Sequence, residues 1–231
     1  MGTYKAQFIS MIIMIALGIG IFIGFNIEWY SLEKNTDSFL RETNFADYRI
    51  VSESGFSADD VQNVLSVDGV KASSRFISVN ADVKERDGDS VALTVTENPD
   101  VSSFITVDGD GYDPDSTDGI WVSKKYADAN GIAVGDTLTF VYRNAEITGK
   151  VRGLIRAGEY LICVRDETQL MPDPDTYGFA YISPAMMKDA LGFEFYPQIN
   201  VISDTEKKDF CERIDSAFGK TMLILSKDEN I

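Results

Sequence analysis

The spacing of apolar and polar positions changes several times along the chain, and each change marks an element. From Phe8 to Phe25, FISMIIMIALGIGIFIGF runs without a charge, close to the ~20 residues a helix needs to cross a bilayer core. This predicts a transmembrane helix. A cleaved signal sequence is the alternative, but small residues at cleavage spacing are missing from NIEWYSLEKN, which follows. Ile27, Tyr30, Phe39 and Leu40 then keep a loose helical spacing without proline, so the helix is predicted to continue as a stalk. Period two begins at ADYRIV (46–51), a strand. In SADDVQNVL (57–65) Ser57 is placed as an N-cap, Asp59 and Asp60 favour the positive end of the helix dipole, and Val61, Val64 and Leu65 make one face. GVKASSRFISVNADV (69–83) alternates again and completes a strand-helix-strand unit.

The same order recurs near the C-terminus as QINVIS (198–203), DTEKKDFCERIDSAFG (204–219) and TMLIL (221–225), with Phe210, Ile214 and Phe218 stepping by four and Gly219 as the stop. Two such units share one sheet in the ferredoxin-like split arrangement. The stretch between them is then an insertion, mostly strands: SVALTVTE, GIWVS, DTLTFVYRN, AEITGKVRGLIR, EYLICV and FAYIS. Short helices interrupt it at KKYADANG and at SPAMMKDALG, and a hairpin turns at Asn144. The expected fold class is α+β in three parts. Residues 1–44 form the membrane helix and stalk, 45–89 with 195–231 a split α+β subdomain, and 90–194 an inserted β-rich subdomain.

Composition narrows the function. A formal charge of −16 and the lack of a basic stripe argue against nucleic acid as a partner. Histidine is absent, which removes the commonest general base, the usual zinc ligand and the ordinary Ser-His and Cys-His pairs. No catalytic set and no cofactor are expected. Cys163 and Cys211 show no CxxC spacing, so they suggest neither zinc nor a redox motif, and whether they pair stays open.

Lys5 precedes the apolar run and Glu28, Glu33 and Asp37 follow it with Trp29 and Tyr30, which places the C-terminal portion outside the cell membrane. Ala16, Gly20 and Gly24 recur every four residues, a face on which another helix could pack closely, or simply the glycine common in membrane helices. The acidic run DGDGYDPDSTDG (108–119) invites comparison with an EF-hand calcium loop. Counted from Asp108 the fifth, sixth and twelfth positions are Tyr112, Asp113 and Gly119, and counted from Asp113 they are Thr117, Asp118 and Lys124, so neither register supplies the ligands. A polar loop before a strand is the expectation. NGIAVGDTLTF (130–140) lacks the Lys-Ser/Thr ending of a phosphate loop, and Asp136, Asp166 and Glu167 are expected to be surface acids. LMPDPDTYG (170–178) is a rigid loop whose exposed Met171 and Tyr177 form a possible contact tip.

With DGIWVSKKYADANGIAVGDTLTFVYRNAEITGKVRGLIR (118–156) inside a split pair of strand-helix-strand units behind a membrane helix, the chain resembles the extracytoplasmic domain of FtsX/MacB-type ABC transporter permeases. The resemblance covers nearly the whole chain and is most specific at WVSKKYADANGIAVGDTL. It implies a porter-like part made of the two units and a sabre-like insertion. It also implies an ABC-type ATPase subunit as partner, further permease helices or a second permease copy, contact with membrane lipid, and mechanical coupling in place of chemistry. The family carries more membrane helices, so the sequence reads either as part of a longer permease or as a single-pass relative. The substrate is not legible. A single-pass membrane-anchored extracellular binding module is the alternative function.

Overall fold

The computed structural model describes residues 2–229 apart from 167, 193 and 220. It divides into two units, of which the first is one helix, α1 (Gly2–Glu42). With 41 residues at about 1.5 Å each, α1 is roughly 60 Å long, about twice a bilayer's apolar thickness. It is long and apolar enough to cross a membrane. The same continuous helix therefore has room for both the span and the stalk.

The second unit begins at Thr43. In chain order it comprises β1 (Tyr48–Val51), α2 (Ala58–Leu65), β2 (Val70–Val83), β3 (Ser90–Thr96), β4 (Phe104–Gly109), β5 (Gly119–Ser123), α3 (Lys124–Asn130), β6 (Thr137–Tyr142), β7 (Ala145–Ala157), β8 (Tyr177–Ile182), α4 (Pro184–Leu191), β9 (Gln198–Ser203), α5 (Lys207–Phe218) and β10 (Leu223–Ser226). The strand order β10-β1-β9-β2 is antiparallel throughout, and β9 lies between β1 and β2. This is the ferredoxin-like split pair, and the fold class is α+β. One face of this sheet packs on α2 and α5 through Ile50, Val64, Ile199, Val201, Phe210 and Ile214, with Tyr48 stacked on Phe210 at 4.1 Å between ring centroids. The helix start at Ser57 is a capping box: its hydroxyl accepts the Asp60 amide at 3.3 Å, and its own amide donates to Asp60 Oδ2 at 2.7 Å.

β2 is long enough to serve two neighbours. Its first half pairs with β9 and its second with β3, and at Asp82 and Val83 it meets β6. The sheet then runs β3-β8-β5-β7, and β6 pairs with both β7 and β2, so β2-β3-β8-β5-β7-β6 closes into a six-stranded ring. Its interior holds Val91, Leu93, Val122, Phe140, Ile147, Ala180 and Ile182, with α3 and α4 contributing Tyr126, Met186 and Met187. A second apolar layer covers the outside of the same strands, where Trp121, Ile155, Phe179 and Tyr181 pack with Phe104, Tyr112 and Tyr160. Strands β3, β5 and β8 are thus buried on both faces, as strands with parallel neighbours usually are.

Two elements differ from expectation. EYLICV is not a strand: Gly158–Tyr160 is a single 3₁₀ turn followed by irregular chain. Glu159 and Tyr160, adjacent in sequence, both have buried destinations. Glu159 pairs with Arg49, while Tyr160 stacks on Phe179 at 4.5 Å and places its hydroxyl 2.7 Å from Ser78 Oγ and 2.5 Å from Thr94 Oγ1. A strand would send neighbouring side chains to opposite faces. β4 is the strand not anticipated. Among the described strands it pairs with β7 alone, and its residues are at least partly exposed, so its sequence shows no buried face.

Candidate functional site

In β1 and β9, the positions that alternate with the helix-facing core carry Arg49 and Asn200. They point to the sheet face opposite α2 and α5, where the turns after β3 and β7 are packed. Arg49 forms an ion pair with Glu159, with side chains 17% and 5% exposed. Asn200 Nδ2 donates to Ser102 Oγ at 2.9 Å and lies 3.4 Å from Glu159 Oε1. Ser102 holds φ +48 and its amide donates to the Asn44 carbonyl at 2.8 Å, which ties the first residues of the unit into the same cluster. Burial pushes the Glu159 carboxyl above its usual value, and Arg49 and the Ser102 hydroxyl pull it part of the way back.

A second cluster joins the same parts along β2. Arg75 donates to Glu97 through Nε at 2.7 Å and Nη2 at 2.5 Å, reaches the Phe56 carbonyl at 3.3 Å and lies over the Tyr196 ring at 4.5 Å. Its Nη2 is 3.6 Å from Glu194. Hydrogen bonding to Glu97 raises the Arg75 pKa further, so the group is a permanent cation. These two clusters make the split sheet and the ring one polar-stitched body. Sequence reasoning missed both. Arg49 and Asn200 sit where an open sheet would face water, and only the covering turns bury them.

The candidate contact tip divides. Leu170 is 94% exposed, Met171 76% and Ile162 68%, so these three apolar side chains project into solvent. Tyr177 does not belong to it, a correction to the sequence reading. It opens β8, is buried, and donates to Asn80 Oδ1 at 2.7 Å. Burial pushes its hydroxyl up to about 12. The projecting segment is tied back by Arg165, whose Nη2 donates to the carbonyls of Gly88 and Thr176, each at 3.1 Å.

The acidic loop is anchored through its backbone and aromatic residue. Trp121 Nε1 donates to the Asp110 carbonyl at 3.0 Å, and the Tyr112 hydroxyl donates to the Thr96 carbonyl at 2.8 Å. Asp113 Oδ1 accepts the Asp115 amide and Asp118 pairs with Arg152, both at 3.0 Å. Among the described residues no three His, Cys, Asp or Glu side chains converge as a metal site would need. Asp136 Oδ2 accepts the Ala133 amide at 2.8 Å and Asp166 Oδ1 the Thr168 amide at 2.9 Å, turn bonds in both cases. Glu167 lies outside the described residues. Cys163 and Cys211 are free thiols in different clusters, and burial pushes Cys163 up to about 11. On α1, Ala16, Gly20 and Gly24 are exposed, and a Cβ added at either glycine would meet nothing within 4 Å.

The fold has solved counterparts. The extracellular domain of the noncanonic ABC-type transporter YknZ from Gram-positive bacteria matches with a TM-score of 0.53 and 13% identity, over 78% of this chain and 98% of that one. The periplasmic region of MacB from Actinobacillus actinomycetemcomitans matches with a TM-score of 0.50 and 14% identity, over 82% of this chain and 92% of that one. The chain has the fold of these transporter domains. At this identity the likeness is one of architecture, and it agrees with the FtsX/MacB-type resemblance of the sequence. No protein family and no curated protein matches the sequence itself.

Proposed function

We propose that this chain is the leading membrane helix and extracytoplasmic domain of an ABC transporter permease subunit. In this reading a partner ATPase moves the membrane helices, α1 carries the motion outward, and the exterior domain converts it into export or an extracellular conformational signal. The observation that carries the reading is the pairing of a transporter-domain fold with a continuous helix of 41 residues, separated from β1 by residues 43–47 alone. A helix without a break transmits axial and rotational displacement with little loss. The charge order around the apolar run supports an external domain. The absence of histidine supports a role without catalysis.

Recovery from native membranes under mild crosslinking tests the proposal: an ABC-type ATPase should co-purify with the full chain. Gly20→Leu with Gly24→Leu should then leave ATP hydrolysis by the reconstituted complex intact and abolish its coupling to the exterior domain, because leucine at small-residue positions pushes a neighbouring helix away. Gly18→Leu, on the opposite face, is the control. No ATPase in the recovered material, or equal damage by the control, refutes this reading. An anchored extracellular binding module is the second reading, favoured by the projecting Ile162, Leu170 and Met171. It predicts an extracellular partner in place of the ATPase.

A further inference from the structure

The six-stranded ring is not filled at one end. A cavity of about 360 Å³ opens there, its deep wall made by the buried side chains of Leu93, Val95, Ile147, Ile182 and Met187. This is within the range of small-molecule sites, roughly 300–1,000 Å³. A dry cavity of about 150 Å³ holds one six-carbon benzene, so in proportion this one suits about fourteen carbons, the size of one hydrocarbon chain and too small for two.

The wall is hydrocarbon, and the rim adds a cation to it. Tyr142 and Arg143 line the opening from the turn between β6 and β7. Arg143 takes φ +54, a left-handed conformation in which a side chain other than glycine or asparagine is uncommon. Its guanidinium lies over the Tyr142 ring at 5.3 Å, and it is in no ion pair among the described residues. Glu146, three residues on, pairs with Lys84 at 2.7 Å. Glu194, next to the rim residue Phe195, pairs with Lys188 at 3.0 Å. In a chain of net charge −16, a cation held on a turn over an apolar cavity without a carboxylate partner is a site for an anion attached to hydrocarbon. An arginine fork matches a carboxylate in geometry as well as charge.

We propose that this cavity binds a single-chain amphiphile with a carboxylate head, its chain inside the ring and its head on Arg143. The inference holds whether or not the chain works with an ATPase.

The test uses the full chain in nanodiscs of two-chain phospholipid, with dodecanoic acid carrying a photoreactive diazirine at its far end as probe. Dodecanol with the same group is the uncharged control, and labelled peptides are mapped by mass spectrometry. The nanodisc lipid is itself an excess of two-chain competitor. Both probes enter the bilayer and label α1, which serves as an internal reference. The acid is expected to label peptides containing Leu93 and Met187 as well, at least fivefold more than the alcohol does. Arg143→Gln, on an exposed turn where folding is not at stake, should remove that excess and leave α1 labelling unchanged. Leu191→Trp, which narrows the cavity from its half-buried wall, should reduce ring labelling by both probes. Labelling confined to α1 overturns the proposal. So does ring labelling equal for acid and alcohol, or indifferent to Arg143→Gln.

Discussion

Replacing Arg49 by Met isolates the buried ion pair that ties the split sheet to the ring. Met keeps most of the arginine stem, which packs beside Phe45 with the guanidinium 5.2 Å from its ring, and deletes the charge. Glu159, at 5% exposure, is then a buried carboxylate with Asn200 and Ser102 beside it and its cation gone. Breaking such a pair from one side costs about 3–5 kcal/mol. Arg49 is itself partly open to solvent, so the lower end, about 3 kcal/mol at pH 8, is the expected loss. The dependence on pH is the sharper signature. Glu159 has its folded pKa raised by burial, so its contribution to stability is fully present below the unfolded value near 4.3. That contribution is lost as pH rises through the folded value. Removing Arg49, which lowers that folded value, raises it further. The deficit of the variant should therefore be largest at pH 8 and shrink toward pH 5, at a slope of up to about 1.4 kcal/mol per pH unit. Urea unfolding of the full chain in micelles reads this through Trp121, buried in the layer on the outside of the ring, with Trp29→Phe removing the only other tryptophan. Adding Glu159→Gln should flatten the pH dependence. A deficit that is constant between pH 8 and pH 5, or that grows as pH falls, refutes the account of Glu159 as a buried, desolvated carboxylate.

Gly178→Ala should lower stability by about 1–3 kcal/mol in the same assay, because its new Cβ would meet Tyr126 Cβ at 2.5 Å and Cγ at 2.6 Å in the filled part of the ring. A fragment beginning at Asn44 should be a soluble, folded monomer without detergent by gel filtration and circular dichroism, since the split-sheet and ring cores lie wholly beyond that residue; aggregation places the boundary elsewhere. Millimolar calcium should leave the melting temperature of that fragment unchanged, because in residues 108–119 Asp113 is held in a turn bond, Asp118 pairs with Arg152, and among the described residues no three carboxylates converge. A rise of several degrees that a chelator reverses would show a calcium site there.

The helix α1 and the split pair were legible because their signals are local. An uncharged run of membrane length, a capping box from Ser57 to Asp60, and apolar steps of four at Phe210, Ile214 and Phe218 each depend on residues within a turn or two of one another. The period-two runs likewise located β1, β2 and β9 to within about two residues, because one face of that sheet is a continuous core. What the sequence could not specify was decided at long range. Tyr177 follows a proline-containing loop and looks exposed, yet pairing of β8 with both β3 and β5 buries it. EYLICV has the composition of a strand, but Glu159 finds Arg49 across 110 positions, and two buried destinations for adjacent side chains bend the chain into a turn. The closure of β6 onto β2 rests on two residue pairs, Asp82 with Val141 and Val83 with Phe140, and nothing local in either strand announces it. The cavity over which Arg143 stands exists only because that ring closes. Alternation along a strand reports which residues share a face, whereas what covers that face is set by partners tens of residues away.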